Sequence, residues 1–169
     1  TDRNTEEKEQ ENKMNEYTVR TLTEDDAKEI CLWKYDGEYA VYNMPKWEEC
    51  LAKNFGIADE KRRQKNYRAV CIGNELFGFI NIMKRADRVE LGLGMKPEFC
   101  GRHLGHDFVV LAVDEAKKAY LGESIVLKVR PFNKRAIKCY LGSGFELTET
   151  YYETKAHIAG KMCLMTYIG

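Results

Sequence analysis

The sequence predicts an α/β fold, a mixed but largely antiparallel sheet flanked by helices, and three patterns carry that expectation. Val89, Leu91, Leu93 and Met95 alternate with Glu90, Gly92, Gly94 and Lys96, a period of two that marks a strand ended by Pro97. Directly afterwards the apolar positions move to Leu104, Phe108, Leu111, Ala112, Glu115/Ala116 and Ala119, the spacing of a helix packed on a sheet. A further strand, Ser124–Arg130, is stopped by Pro131. Strand, helix and strand then form a βαβ unit whose right-handed crossover makes the two strands parallel.

The remaining elements follow in chain order. Residues 1–16 are dense in Glu, Lys, Asn and Gln, with Met14 the one strong apolar residue. Such a stretch buries too little surface to offset its ordering entropy, so a loose tail or frayed helix is expected ahead of a single domain over 17–169. Tyr17–Leu22 alternates as a first strand. Thr23 is placed to cap a helix with Glu24, Asp25 and Asp26 in its first turn and Ala27, Ile30 and Cys31 inward. An aromatic-dense loop, 33–43, follows, and Pro45 suits the first position of a helix running from about Lys46 to Asn54. Within these segments Trp33 and Trp47 suit packing, whereas Tyr35 and Tyr39 are open to a role in a substrate cleft. The charged run Asp59–Lys65 reads as a solvated connector.

Tyr67–Ile72 and Leu76–Met83, joined at Gly73-Asn74, read as a hairpin that leads through a turn at Arg85–Arg88 into the central strand. Beyond Pro131, Asn133 caps a helix with Ala136, Ile137, Tyr140 and Leu141 inward, and Gly144 is placed to end it. Phe145–Glu153 and Ile158–Tyr167 form a terminal hairpin around Thr154–Gly160.

The composition narrows the function classes. At 169 residues the chain is long enough for one core without disulfide or metal support. Lys+Arg and Asp+Glu each number 27, so no basic field attracts nucleic acid or anionic lipid. Neither a run of ~20 apolar residues nor a signal-peptide pattern is present, and a cytoplasmic location is the expectation. The 6 cysteines form no C-x-x-C pair and read as mostly buried thiols, with Cys100 the most accessible.

Chemistry is expected at the strand-to-helix turn, Cys100-Gly101-Arg102-His103-Leu104-Gly105. A helix start presents unpaired N–H groups and a partial positive charge, and Arg102 adds a permanent cation. Either the turn holds a diphosphate or it is a tight connection that binds nothing. The stretch Met95-Lys96-Pro97-Glu98-Phe99-Cys100-Gly101-Arg102-His103-Leu104-Gly105 resembles the V-x-P-x-Y-R-G-x-G-x-G segment of the GNAT superfamily of acetyl-CoA-dependent N-acetyltransferases. Val129-Arg130-Pro131-Phe132-Asn133 through Ala136-Ile137, Tyr140 and Gly144-Phe145 is similar to a second GNAT pattern, V-x-x-x-N-x-x-A-I-x-x-Y-x-x-x-G-F. With the coarse order of elements in agreement, the resemblance spans the chain from about Tyr17 to the end.

The resemblance implies the GNAT fold, with a coenzyme cleft where the two parallel strands splay apart, and acetyl-CoA as co-substrate. It implies that Leu93, Gly94 and Met95 run along the acyl arm, that Cys100, Gly101, Arg102, His103, Leu104, Gly105 and His106 surround the diphosphate, and that Asn133 and Tyr140 meet the coenzyme arm and the thioester sulfur. Two residues depart from the pattern. Cys100 replaces the usual Arg or Gln and removes a donor, while His103 replaces Gly and adds a Cβ where the backbone approaches the ligand. Without the resemblance, Asn133 is a helix cap and Tyr140 a core residue.

Acyl transfer to an amine of pKa roughly 10.4 needs a group to take its proton, and Glu90 on the central strand is the candidate. The alternative is a salt-bridged carboxylate. Tyr140 is the candidate donor to the leaving thiolate, whose thiol has a pKa of about 8.5. Glycines 92 and 94 mark a bulge or a close ligand approach. Tyr35, Tyr39 and Glu90 are the candidate acceptor contacts. His103 and His106 lack a third ligand nearby, so no metal is expected, and neither the Rossmann nor the Walker pattern is present.

The sequence therefore points to acetyl transfer onto a primary amine of a small molecule or a peptide N-terminus. The alternatives are a coenzyme-A-binding module with little catalysis and an interaction domain with no nucleotide site. A homodimer through the terminal hairpin's edge is also open.

Overall fold

The computed structural model describes residues 3–14, 16–155 and 158–169, with the backbone alone for 10–14. A seven-stranded, mostly antiparallel sheet flanked by helices runs through it. The strands are β1 (Tyr17–Thr21), β2 (Tyr67–Ile72), β3 (Glu75–Lys84), β4 (Arg88–Met95), β5 (Ser124–Val129), β6 (Phe145–Glu153) and β7 (Gly160–Tyr167), in the order β1-β2-β3-β4-β5-β7-β6. The β4–β5 pair is parallel, as the βαβ pattern requires. By clustering of its contacts the chain forms two compact units, one made of the chain up to Ile80 plus Gly94–Phe99, the other of Asn81–Leu93 plus Cys100–Gly169.

In the first unit, helix α1 (Arg3–Met14) carries exposed residues from 3 to 9, while the expectation placed on the Met14 side chain lies outside the described residues. Helix α2 (Glu24–Leu32) starts in a full capping box. The Asp26 N–H donates to Thr23 Oγ1 at 3.1 Å, and the Thr23 N–H donates back to Asp26 Oδ2 at 2.8 Å. Its buried Ala27 and Ile30 join Leu22, Trp33, Ile57 and Tyr67 in the core of this unit. Helix α3 (Trp47–Ala52) has Lys46 at its N-cap, so Pro45 lies just outside the helix, not at its first position.

The run expected to be a connector is helix α4 (Glu60–Asn66). Asp59 caps it, accepting from the Arg62 N–H at 2.8 Å, and Arg63 and Lys65 complement the dipole in its last turn. Arg63 is buried and donates to the Ile57 carbonyl at 3.0 Å. Its long stem lets a charged residue face a core, which polarity alone does not reveal.

In the second unit, helix α5 (Gly105–Ala119) buries Phe108, Val109, Ala112, Val113 and Ala116, whereas Leu111 is half-buried and Ala119 exposed. The buried face is turned towards Val109 and Val113 relative to the expected one, because both flanks of the apolar stripe carry large residues. Helix α6 (Lys134–Leu141) is capped by Asn133. It leaves Ala136, Ile137 and Tyr140 half-buried and Leu141 exposed, contrary to the expected inward face. Gly142 is its C-cap, and Gly144, at φ +91°, turns the chain into β6 two residues later. The β6–β7 hairpin is antiparallel with an irregularity between Leu147 and Glu149, and residues 156 and 157 of its turn lie outside the described residues.

Candidate functional site

The parallel register of β4 and β5 runs from Arg88–Ser124 to Leu91–Leu127, while β4 continues through Gly92, Leu93 and Gly94 to Met95. The strands thus pair over Arg88–Leu91 and Ser124–Leu127, and β4 runs on beyond the last pair.

The chain then passes through Cys100–Leu104 into α5. Gly101 and His103 hold left-handed φ values of +77° and +59°. The first is free for glycine and the second is strained for histidine. Leu104, the N-cap residue of α5, supplies no side-chain cap, in contrast to Thr23, Asp59 and Asn133 on α2, α4 and α6. The first helical bond, Phe108 N–H to the Leu104 carbonyl, is 3.2 Å, so the N–H groups of Gly105, His106 and Asp107 precede the intrahelical ladder. Gly101, Arg102 and His103 are exposed and Leu104 is half-buried.

Helix α6 covers this turn in a way that sequence reading missed. The Arg135 Nη1 lies 3.6 Å from where a Cβ on Gly101 would sit. A Cβ on Gly105 would sit 3.0 Å from the Cys139 sulfur, so this glycine makes room for the protein's own side chain. His106 Nδ1 and Ser143 Oγ are 3.0 Å apart, and Ser143 Oγ donates to the Cys139 carbonyl at 2.7 Å. Cys100 and Cys139 are both half-buried, so Cys100 shares the accessible position with a second thiol. Burial pushes the Cys100 thiol up, with the Arg135 charge opposing in part, and it remains protonated at neutral pH. Asn133 Oδ1 accepts from the Ala136 N–H at 3.2 Å, and the Tyr140 ring lies 6.1 Å from that of Phe145.

Glu90 is 8% exposed and sits between two cations. Its Oε2 is 3.3 Å from Arg85 Nε and its Oε1 3.4 Å from Lys128 Nζ. Lys128 also reaches Glu153 at 3.9 Å. Burial pulls the Lys128 pKa down, but Glu90 and Tyr151 outweigh it and hold the ammonium above its ordinary value. The salt-bridged geometry raised as the alternative for Glu90 is therefore present. Lys128 follows Val126, the register partner of Glu90, by two residues, so both side chains emerge on one face. That register is what the sequence lacked.

In the first unit, the Tyr35 hydroxyl donates to the Met95 carbonyl at 2.6 Å, and half-buried Tyr39 lies in a 3-10 turn, Gly37–Tyr42. Gly94 has a structural reason of its own: a Cβ there would overlap the Phe79 ring. At Gly92 a Cβ would meet Asn81 and Met83 at ordinary contact distances of 3.4 and 3.6 Å. Among the described residues no group of three His, Cys, Asp or Glu is placed to hold a metal ion, and no helix is long and apolar enough to cross a membrane.

Comparison with known proteins gives the context for this geometry. The model of the acetyltransferase (GNAT) domain matches residues 17–146. Among solved structures, a GNAT-family acetyltransferase from Bacillus anthracis is similar with a TM-score of 0.70 at 14% identity, over 90% of this chain and 95% of that one. Spermidine N-acetyltransferase from Vibrio cholerae, in complex with CoA and spermine, gives 0.63 at 18% identity, over 90% and 95%. The ribosomal-protein-S18-alanine N-acetyltransferase of Escherichia coli gives 0.61 at 19% identity, over 89% and 92%. No curated protein matches the chain in sequence. With a family model spanning well over half of its length, and a sheet whose β4–β5 pair parts as the resemblance implied, the chain belongs to the GNAT acetyltransferase family.

Proposed function

We propose that this protein transfers an acetyl group from acetyl-CoA to a primary amine, carried by a small molecule or a peptide N-terminus. The carrying observation is the end of the β4–β5 register at Leu91–Leu127, followed in the chain by a helix start without a side-chain cap and with the Arg135 guanidinium over Gly101. Oriented N–H groups, a helix dipole and a cation together suit a diphosphate.

When bound, acetyl-CoA supplies the activated acetyl group. Gly101 to His106 would hold its diphosphate through backbone N–H groups, with Arg102 and Arg135 adding charge and the Cys100 thiol adding none. Leu93, Gly94 and Met95 would present β4 backbone to the acyl arm, and N–H groups there would polarise the reacting carbonyl. Asn133 is assigned to the coenzyme arm. The Tyr140 hydroxyl is assigned the proton given to the departing sulfur. Glu90 is assigned the proton taken from the amine, its carboxylate held in orientation by Arg85 and Lys128. Residues 17–169 act in this reading as one catalytic domain. The Vibrio cholerae enzyme acts on spermidine and the Escherichia coli enzyme on an alanine of a ribosomal protein, which supports retaining both acceptor classes.

Thermal unfolding with acetyl-CoA, with NAD and ATP as controls, tests the coenzyme assignment. At a hundredfold excess over the dissociation constant, binding to the folded state stabilises it by about 2.7 kcal/mol, a rise of roughly 5–10 °C for a chain of this size. Free thiol released with spermidine or with an alanine-initiated peptide then tests catalysis. Stabilisation by acetyl-CoA alone, with thiol release on either amine, is the expected result. No selective stabilisation would overturn the proposal.

A further inference from the structure

The contacts at the end of β4 assign Tyr35 a task other than touching substrate. The Lys96 N–H donates to the Phe77 carbonyl on β3 at 2.8 Å. The Met95 carbonyl belongs to the same peptide group and points to the other edge of β4, the edge that pairs with β5 further back, at Arg88–Leu91. At Met95 that carbonyl is taken by the Tyr35 hydroxyl, at 2.6 Å. The Met95 N–H points to the same edge.

Tyr35 also closes a loop. Its N–H donates to Asn43 Oδ1 at 2.7 Å, while Asn43 Nδ2 reaches the Tyr35 carbonyl at 3.5 Å. One amide side chain thus joins the two ends of the segment 36–42 as a backbone pair would. Lys34 Nζ bonds the Cys31 and Met44 carbonyls, at 3.3 and 3.4 Å, and ties the stem below that base. Gly37, at φ +60°, turns the chain at the start of the loop, and its tip leaves Val41 and Tyr42 exposed. The loop is tied at its base and latched to the strand edge by the Tyr35 hydroxyl.

We propose that Tyr35 is a positioning residue whose hydroxyl latches the 36–42 loop to the edge of β4, coupling the order of that loop to occupancy of that edge by acetyl-CoA. The coupling rests on the coenzyme reading of β4 given above. Tyr35 then has its hydroxyl committed to Met95, and contact with the acceptor falls to the rest of the loop, with half-buried Tyr39 the residue assigned to it. A coenzyme arm lying along β4 restrains the Met95 peptide. The restrained carbonyl holds the hydroxyl, and the hydroxyl holds the loop. By linkage, whatever acetyl-CoA adds to the order of the loop, the latch returns to acetyl-CoA affinity.

Amide hydrogen exchange on the full chain with and without acetyl-CoA, together with acetyl-CoA affinity, tests this on wild type, Tyr35→Phe and a control, Tyr152→Phe, on the exposed face of β6. Tyr35→Phe keeps the ring and removes the hydroxyl that makes the latch. In the free protein, the expected result is faster exchange across 36–43 in Tyr35→Phe and no change in the control. In wild type acetyl-CoA slows exchange across 36–43, and in Tyr35→Phe it does not. Acetyl-CoA affinity falls about fivefold in Tyr35→Phe, the equivalent of one net hydrogen bond. A loop that exchanges equally in wild type and Tyr35→Phe overturns the latch. Looser exchange with unchanged acetyl-CoA affinity overturns the coupling and leaves Tyr35 a purely structural anchor. Wild type that binds no acetyl-CoA at all overturns the proposed function and with it the coupling, whereas the free-protein comparison still decides the latch.

Discussion

Replacing Glu90 with Gln separates the two roles open to this carboxylate. The substitution keeps the shape and removes the charge from a side chain that is 10% exposed and held by two cations. At the 3.4 Å separation from Lys128, a charge pair in an effective dielectric of about 20 has a gross attraction of about 5 kcal/mol. Most of that is offset by the desolvation of both groups, and Gln still accepts a hydrogen bond from Lys128. Arg85 has a half-exposed side chain and adds at most about 0.5 kcal/mol. The net loss expected for Glu90→Gln is therefore roughly 2 kcal/mol, the difference between a charged and a neutral hydrogen bond in a partly buried site. For a chain of this size that lowers the melting temperature by about 4–8 °C. Urea unfolding of wild type, Glu90→Gln, Lys128→Met and the double variant gives the coupling directly, and about 1–2 kcal/mol is expected. A Glu90→Gln loss below about 0.5 kcal/mol with no coupling would refute the ion-pair argument. If the stability loss is accompanied by a hundredfold or greater fall in turnover at saturating substrate, Glu90 is also the base.

Three further outcomes are expected. Burial opposes the Asp26 carboxylate, but the Arg20 guanidinium and the Thr23 N–H hold its pKa below the ordinary carboxylate value. A depressed pKa gives stability that is complete above the unfolded value of about 3.9 and is lost as pH falls through the folded one. Asp26→Asn should thus cost about 1–3 kcal/mol at neutral pH, with the gap to wild type closing below about pH 4 in melting curves taken across pH 2–7. At His103, whose φ is +59°, Gly should be more stable than Ala by about 1 kcal/mol in urea unfolding, the reverse of their order in a helix. Arg135→Ala should weaken acetyl-CoA about tenfold with little change in the melting temperature of the free chain, and the difference should narrow at high salt.

The parts of this protein legible in its sequence are those fixed by neighbours along the chain. The alternation at Val89–Met95, the turn at Gly101–Gly105 and the helix beyond it define a βαβ unit, and the β2–β3 hairpin turns at Gly73-Asn74 as its residues require. Thr23 and Asn133 cap the helices they precede, because a cap bond spans only three residues. The turn ahead of α5 was legible for the same reason: its backbone conformation and the helix behind it are local.

What only the tertiary structure decided is who meets whom across strands and helices. The pairing of Glu90 with Lys128 depends on the β4–β5 register, in which a one-residue slip would turn the lysine to the other face. Arg135 reaches Gly101, and Cys139 fills the space at Gly105, only because α6 packs on the start of α5. A Cβ at Gly94 would overlap the Phe79 ring, and the Tyr35 hydroxyl lies on the Met95 carbonyl 60 residues away, two contacts that no local pattern reveals. Arg63 is buried within a run whose composition argued for solvent. Periodicity and turn chemistry are short-range and survive in one dimension, whereas register, helix rotation and the partner of a charge are set by packing between segments distant in the chain.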